Sequence, residues 1–168
     1  MIGPAVSHNF DFEGELALVI GKGGRHIKPE TALDHIAGYT CFVDGSVRDY
    51  QKFSVTSEKN FPSTGPLGPS MVTSDEIADP SRLTLTTRLN GQEVRHSTTG
   101  LLIYSIPQII AFCSDFTVLS AGDVIATGTP EGVGHNRKPP LWLQPGDRLE
   151  VEIAGIGLLR ADIVEERG

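Results

Sequence analysis

Glu13 and Glu15 stand two apart in EGELALVI, residues 13–20. A period of two puts their side chains on one face of a strand. Ala17 and Val19 continue that face, while Gly14, Leu16, Leu18 and Ile20 make the other face apolar as well. A solvated strand face could carry such a pair, but a strand apolar on both sides is usually buried on both sides. Two carboxylates there are costly to bury unless they are paired or bound to a metal. Asp44 ends a second apolar strand, Tyr39 to Val43, and precedes Gly45. It is either a turn-former or a third carboxylate for the same site. Three carboxylates with no His or Cys beside them favour a hard cation, Mg2+ first and then Mn2+ or Ca2+, and disfavour zinc.

Other groups are ambiguous when taken singly. Arg48 lies four residues after Asp44, Gln51 three further on, and Lys59 falls in a Ser/Pro-rich stretch; as isolated residues they read as surface polar groups. TGTPEGVG, residues 127–134, is either a structural bend or an anion cradle. It lacks the GxxxxGK[ST] spacing of a nucleotide P-loop. Cys41 and Cys113 sit among apolar residues and read as buried free thiols, too few for a zinc site or a disulfide framework.

The elements that must position these groups are short. Residues 13–20 and 39–43 read as strands, and Pro29 to Ala37 as a short helix with Gly38 as its stop. Residues 53–70 read as a long loop, of the kind that is usually functional or disordered. Asn90-Gly91 joins a hairpin of 83–89 with 93–97, and a second hairpin, 148–153 with 158–164, turns at Gly155 to Gly157. Ser105 to Phe116 read as the second helix, with Ser105 as its N-cap. Asp123 to Ala126 form a short strand, and HNRKPP, 135–140, a basic Pro-rich loop. The count predicts a β-rich α+β fold with two short helices, one domain over residues 1–168. The net charge of -7 argues against nucleic acid and anionic membranes as partners. No apolar run approaches the roughly 20 residues that cross a bilayer and no signal peptide is visible, so a cytoplasmic location is expected.

Taken together, DFEGELALVIGKGGRHI, AGYTCFVDGSVRDYQ, EKNFPSTGPLGP, GDVIATGTPEGVG and LQPGDRLEVEIAGIGLLR resemble, in order and approximate spacing, the fumarylacetoacetate hydrolase superfamily. The resemblance covers nearly the whole chain and is strongest to bacterial 2-hydroxyhepta-2,4-diene-1,7-dioate isomerase or 2-oxopentenoate hydratase-like members. It implies a mixed β-roll core of the family's C-terminal-domain type, assembled as a homodimer. It implies that Glu13, Glu15 and Asp44 bind Mg2+ or Mn2+, and that Lys59 lies at the reaction centre. Arg48, Gln51 and Thr129 would hold the carboxylate and oxo oxygens of a small anionic 2-oxo acid, with Gly128 allowing close backbone approach. The implied activity is metal-dependent C–C cleavage, decarboxylation or isomerisation of a 2-oxo acid or diacid through a metal-stabilised enolate.

The family pattern includes a further N-terminal region, which in several members carries a lid with a water-activating His–Glu pair. Here His8, in SHNFDF, belongs to the approach to the acidic strand and not to such a lid. Decarboxylation and tautomerisation are therefore expected ahead of hydrolysis. The alternative is a catalytically silent metal-binding dimer, or a subunit whose partner supplies the lid. The segment between Gln51 and Lys59 is also slightly short against the family pattern, which would displace Lys59.

Overall fold

The computed structural model describes residues 1–167. Its central element is the acidic strand Gly14–Ile20, buried on both faces apart from a half-buried Val19. That strand pairs antiparallel with Ile36–Val43 on one side and Val124–Ala126 on the other, and Leu67–Thr73 extends the sheet beyond Ile36–Val43. A second antiparallel sheet runs in the order Gly157–Asp162, Arg148–Ile153, Thr84–Leu89, Gln92–Thr98. The two sheets pack face to face, and Leu16, Leu18, Cys41, Val43, Leu85, Leu149, Val151 and Ile153 are among the buried residues of one continuous core. This explains why the face of Gly14, Leu16, Leu18 and Ile20 is apolar: it meets the second sheet. Phe10–Asp11 pairs with Ser46–Val47, which carries the chain across the end of the first sheet at the acidic residues.

Gly14 packs tightly against the second sheet. A Cβ there would stand 2.6 Å from Thr87 Oγ1 and 2.9 Å from Val151 Cγ2. Gly14→Ala is expected to lower the unfolding free energy by ~1–3 kcal/mol through overpacking. An unchanged denaturant midpoint would show that the sheets can part there without loss.

The β-rich α+β expectation holds, as do both hairpins and the helix Ile106–Phe116 with its Ser105 capping box. Asn90 and Gly91 both take positive φ, as a two-residue hairpin turn requires. Other local readings are corrected. Pro29–His35 is a 3-10 segment, and a strand begins at Ile36. Gly38 lies inside that strand, where a Cβ would meet the Val72 carbonyl at 2.4 Å, so close packing rather than a helix stop requires the glycine. The expected long loop contains the helical turn Val55–Glu58 and the start of Leu67–Thr73, and Arg48–Gln51 forms another turn. In place of two short helices, the described residues thus hold one α-helix of eleven residues, two single α-turns and several 3-10 segments. Cys41 is buried and Cys113 half-buried, both as free thiols. No helix among the described residues is long and apolar enough to cross a membrane.

Candidate metal centre

Strand register brings the acids together. Gly14 pairs with Val43, so the next cross-strand neighbours are Glu13 and Asp44, and the Asp44 N–H donates to the Glu13 carbonyl at 2.8 Å. The period of two returns Glu15 to the face of Glu13. One carboxylate oxygen from each of Glu13, Glu15 and Asp44 lies within 4.8 Å of the other two. Oxygen ligands ~2.0–2.6 Å from a shared ion can lie no more than about 5 Å apart, so the spacing suits one hard cation.

Lys59 follows the helical turn Val55–Glu58, whose N-cap Ser54 accepts a hydrogen bond from the Ser57 N–H at 2.9 Å. Its ammonium stands 2.7 Å from Glu13 Oε2, 2.9 Å from Asp44 Oδ2 and 2.7 Å from Ser46 Oγ. The short preceding segment does not carry it away from the acids.

Arg48 faces carboxylates on several sides. Its Nε donates to Asp11 Oδ2 at 2.9 Å, Nη2 pairs with Glu13 Oε1, and Nη1 lies 3.7 Å from Glu58 Oε2. In this arrangement it positions Asp11 and Glu13. Gln51, at the end of the Arg48–Gln51 turn, is exposed.

Gly128 and Thr129 complete the rim. The Gly128 N–H donates to Glu15 Oε2 at 2.8 Å. Its φ of +96° favours glycine and lets the backbone turn its N–H onto the acid. Thr129 Oγ1 donates to the Gly14 carbonyl at 3.2 Å and accepts from Arg95 Nη1 at 2.7 Å. A cleft of about 680 Å³ runs from Gly128 and Thr129 past Leu85, Leu102 and Ile109, beside the acidic triad.

Three residues of this network escape the sequence reading. Asp11 is fully buried and accepts from Arg48, from its neighbour's N–H at Phe12, and from the N–H groups of Gly134 and His135. Its signal was available: Asp11, Glu13 and Glu15 form one period-two series. Glu58 is buried beside Lys59, and its Oε2 has no hydrogen bond among the described residues. Arg95 is buried on the hairpin strand Gln92–Thr98, where it looks like any charge on an alternating strand.

Burial would raise the Glu13 carboxyl, but Lys59 and Arg48 outweigh it and hold Glu13 below its ordinary range. Glu15 has no cation paired with it: burial pushes it up to about 7, the Gly128 N–H offsets part of the rise, the charges of Asp44 and Glu13 add to it, and that of Lys59 opposes it. Asp44 is also raised, burial outweighing Lys59. Burial would depress the Lys59 ammonium, but its bonds to Asp44 and Glu13 prevail and keep it protonated. With every group ionised, the carboxylates of Asp11, Glu13, Glu15, Asp44 and Glu58 outnumber Arg48 and Lys59, the cations paired with them. An oxygen donor set that keeps net negative charge fits a divalent cation.

Residues 2–164 match the family model described as fumarylacetoacetate (FAA) hydrolase C-terminal. The chain is 43% identical to the mitochondrial oxaloacetate tautomerase of Xenopus laevis over 96% of its own length and 52% of that protein. A fumarylacetoacetate hydrolase structure from Exiguobacterium antarcticum superposes with a TM-score of 0.92 at 41% identity, covering 96% of this chain and 58% of that one. The maleylpyruvate hydrolase of Sphingobium sp. SYK-6, solved with manganese(II) and pyruvate, gives a TM-score of 0.89 at 34% identity over 99% of this chain and 59% of that one. The chain spans about half the length of the curated relatives it matches. With its acidic strand, its β-rich sheets and almost its whole length accounted for by that match, the chain belongs to the fumarylacetoacetate hydrolase family.

Proposed function

We propose that this protein is a divalent-metal-dependent enzyme acting on a small anionic 2-oxo acid, with proton transfer next to the carbonyl (tautomerisation or isomerisation) as its first reaction. The observation that carries the reading is the triad of Glu13, Glu15 and Asp44 with the Lys59 ammonium between two of its members. Glu13, Glu15 and Asp44 would hold Mg2+, or alternatively Mn2+ or Ca2+, which when bound supplies Lewis acidity to the substrate's carboxylate and C2 oxygen. Lys59 adds fixed positive charge where negative charge develops on the oxo oxygen. Kept protonated by its two acids, it can also return a proton to the substrate. Gly128 orients Glu15 through its N–H, and Arg48 holds Glu13 in place. Substrate contacts from Thr129, Gln51 and Arg48 complete the proposal. The relatives named as an oxaloacetate tautomerase and a maleylpyruvate hydrolase support a 2-oxo acid substrate.

We also read the protein as a homodimer that binds neither nucleic acid nor membrane. Support comes from the net charge of -7 and from the exposed apolar side chains of Leu101, Ile103, Tyr104, Phe112 and Phe116, since exposed apolar surface can mark association. Light scattering at twice the 18.0 kDa chain mass is the expected result, and a monomer would remove this part of the reading. A cytoplasmic location stands as a proposal beside a frog relative named as mitochondrial.

Turnover of oxaloacetate (enol to keto), acetylpyruvate and fumarylpyruvate with Mg2+ or Mn2+, and again with EDTA, tests the function. The expected result is metal-dependent turnover of at least one of them. Thermal stabilisation by the metal without turnover would leave a silent metal-binding domain, and the absence of both effects would refute the reading.

A further inference from the structure

Four arginines are buried or half-buried: Arg48, Arg88, Arg95 and Arg137. Arg48 and Arg88 are paired with carboxylates. Arg95 and Arg137 have no carboxylate within 4.0 Å among the described residues. Arg95 is 5% exposed. Its Nη1 donates to Thr129 Oγ1, its Nη2 makes a long 3.5 Å contact to the Phe12 carbonyl, and its Nε is buried without any hydrogen bond among the described residues. Arg137 donates from Nε to the Gly132 carbonyl at 3.1 Å and from Nη2 to the Val94 carbonyl. Neutral carbonyls and one hydroxyl do not compensate a guanidinium withdrawn from water, which calls for an anion. Burial pushes Arg95 below its ordinary range, and the charge of Arg137 pushes it further, against the pull of Asp11, Glu13 and Glu15.

Both arginines line a cleft of about 480 Å³. Its rim residues His96 and Glu131 also line the larger cleft that reaches Gly128 and Thr129. Thr129 thus joins Arg95 to the rim of the acidic triad, since its neighbour Gly128 holds Glu15.

We infer that Arg95 and Arg137 form a second anion subsite, beside Thr129, that takes a small oxyanion group. Two guanidinium forks suit the planar or tetrahedral oxygens of a carboxylate or a phosphate. Its place beside the candidate metal centre makes the far carboxylate of a dicarboxylic 2-oxo acid the first source, and free phosphate the second. The link to substrate rests on the function proposed above; anion binding by the two arginines does not. Glu131, exposed on the rim, opposes any anion there.

Calorimetric titration of the full chain separates these cases. With Mg2+, 2-oxoglutarate is expected to bind on the order of tenfold more tightly than pyruvate, the level of one charge-assisted contact. That ratio should fall to about one in Arg95→Met and in Arg137→Gln, and rise in Glu131→Gln. If free phosphate is the occupant, inorganic phosphate binds in EDTA, more weakly in Arg137→Gln, and the diacid has no advantage. Wild-type protein with neither a diacid preference nor phosphate binding overturns the subsite, as does either effect surviving both arginine substitutions. If neither oxo acid binds with Mg2+, the metal-centred function fails, and the phosphate titration alone decides the subsite.

Discussion

In a Lys59→Met variant, turnover at saturating metal falls by ~10²–10⁴-fold, while the affinity for Mg2+ or Mn2+ is unchanged or tighter. The two readouts separate because the ammonium has two effects of opposite sign. It stands 2.7 Å from Glu13 and 2.9 Å from Asp44, so it neutralises part of the charge that would draw in a cation. Removing it strengthens the field of the triad. The same positive charge, set between two of the three candidate ligands, would stabilise negative charge on a substrate oxygen held there. Methionine keeps most of the side-chain volume, so the packing around Ser46 and the Val55–Glu58 turn should survive. The measurements are kcat at saturating metal and a calorimetric metal titration on the same preparation. A parallel loss of metal affinity and turnover would make Lys59 a structural member of the site and remove its role at the reaction centre.

Much of this site is legible in the sequence, because period two is a local property. Glu13 and Glu15 read directly as one face of a strand, and the apolar residues around them announce burial on both sides. Asp44 reads as an acid at a strand end, but its place opposite Glu13 depends on a register between segments about thirty residues apart, which no local pattern encodes. Lys59 comes from the family resemblance alone. The turn that carries it spans four residues, too few to show a helical period. Gly38 misleads because a glycine past a helical pattern and a glycine under a neighbouring strand look alike; the Val72 carbonyl makes the difference, and it belongs to a distant segment. Arg95 carries no signal at all, since an arginine on a hairpin strand is ordinarily solvated, and distant segments around Phe12 and Thr129 meet it here.

Glu15→Gln should stabilise the metal-free protein and abolish the effect of the metal. The Glu15 carboxyl ordinarily titrates near 4.5 and is pushed up to about 7 in the fold. The folded state therefore holds this proton more tightly than the unfolded chain. Stability from this group is fully present below pH ~4.5, declines as pH rises, and is lost once pH passes ~7. The gap of about 2.5 between the two values corresponds to ~3 kcal/mol. A glutamine carries no charge to desolvate and can still accept from the Gly128 N–H. At pH 8 in EDTA the variant should thus be more stable than the wild type by ~1–3 kcal/mol, and at pH 5 the difference should nearly vanish. With Mg2+ the gap closes or reverses. The wild type gains ~2.7 kcal/mol at a metal concentration a hundredfold above Kd, while the variant gains little and its turnover drops to the EDTA background. Denaturant unfolding at the two pH values, with EDTA and with Mg2+, reads all four states. If metal-free wild type shows no loss against Glu15→Gln between pH 5 and pH 8, the carboxylate is not held at a cost by the fold. If Mg2+ stabilises both proteins equally, Glu15 is not a ligand. Only the crossed pattern identifies a carboxylate that the fold keeps, against its own stability, for a cation.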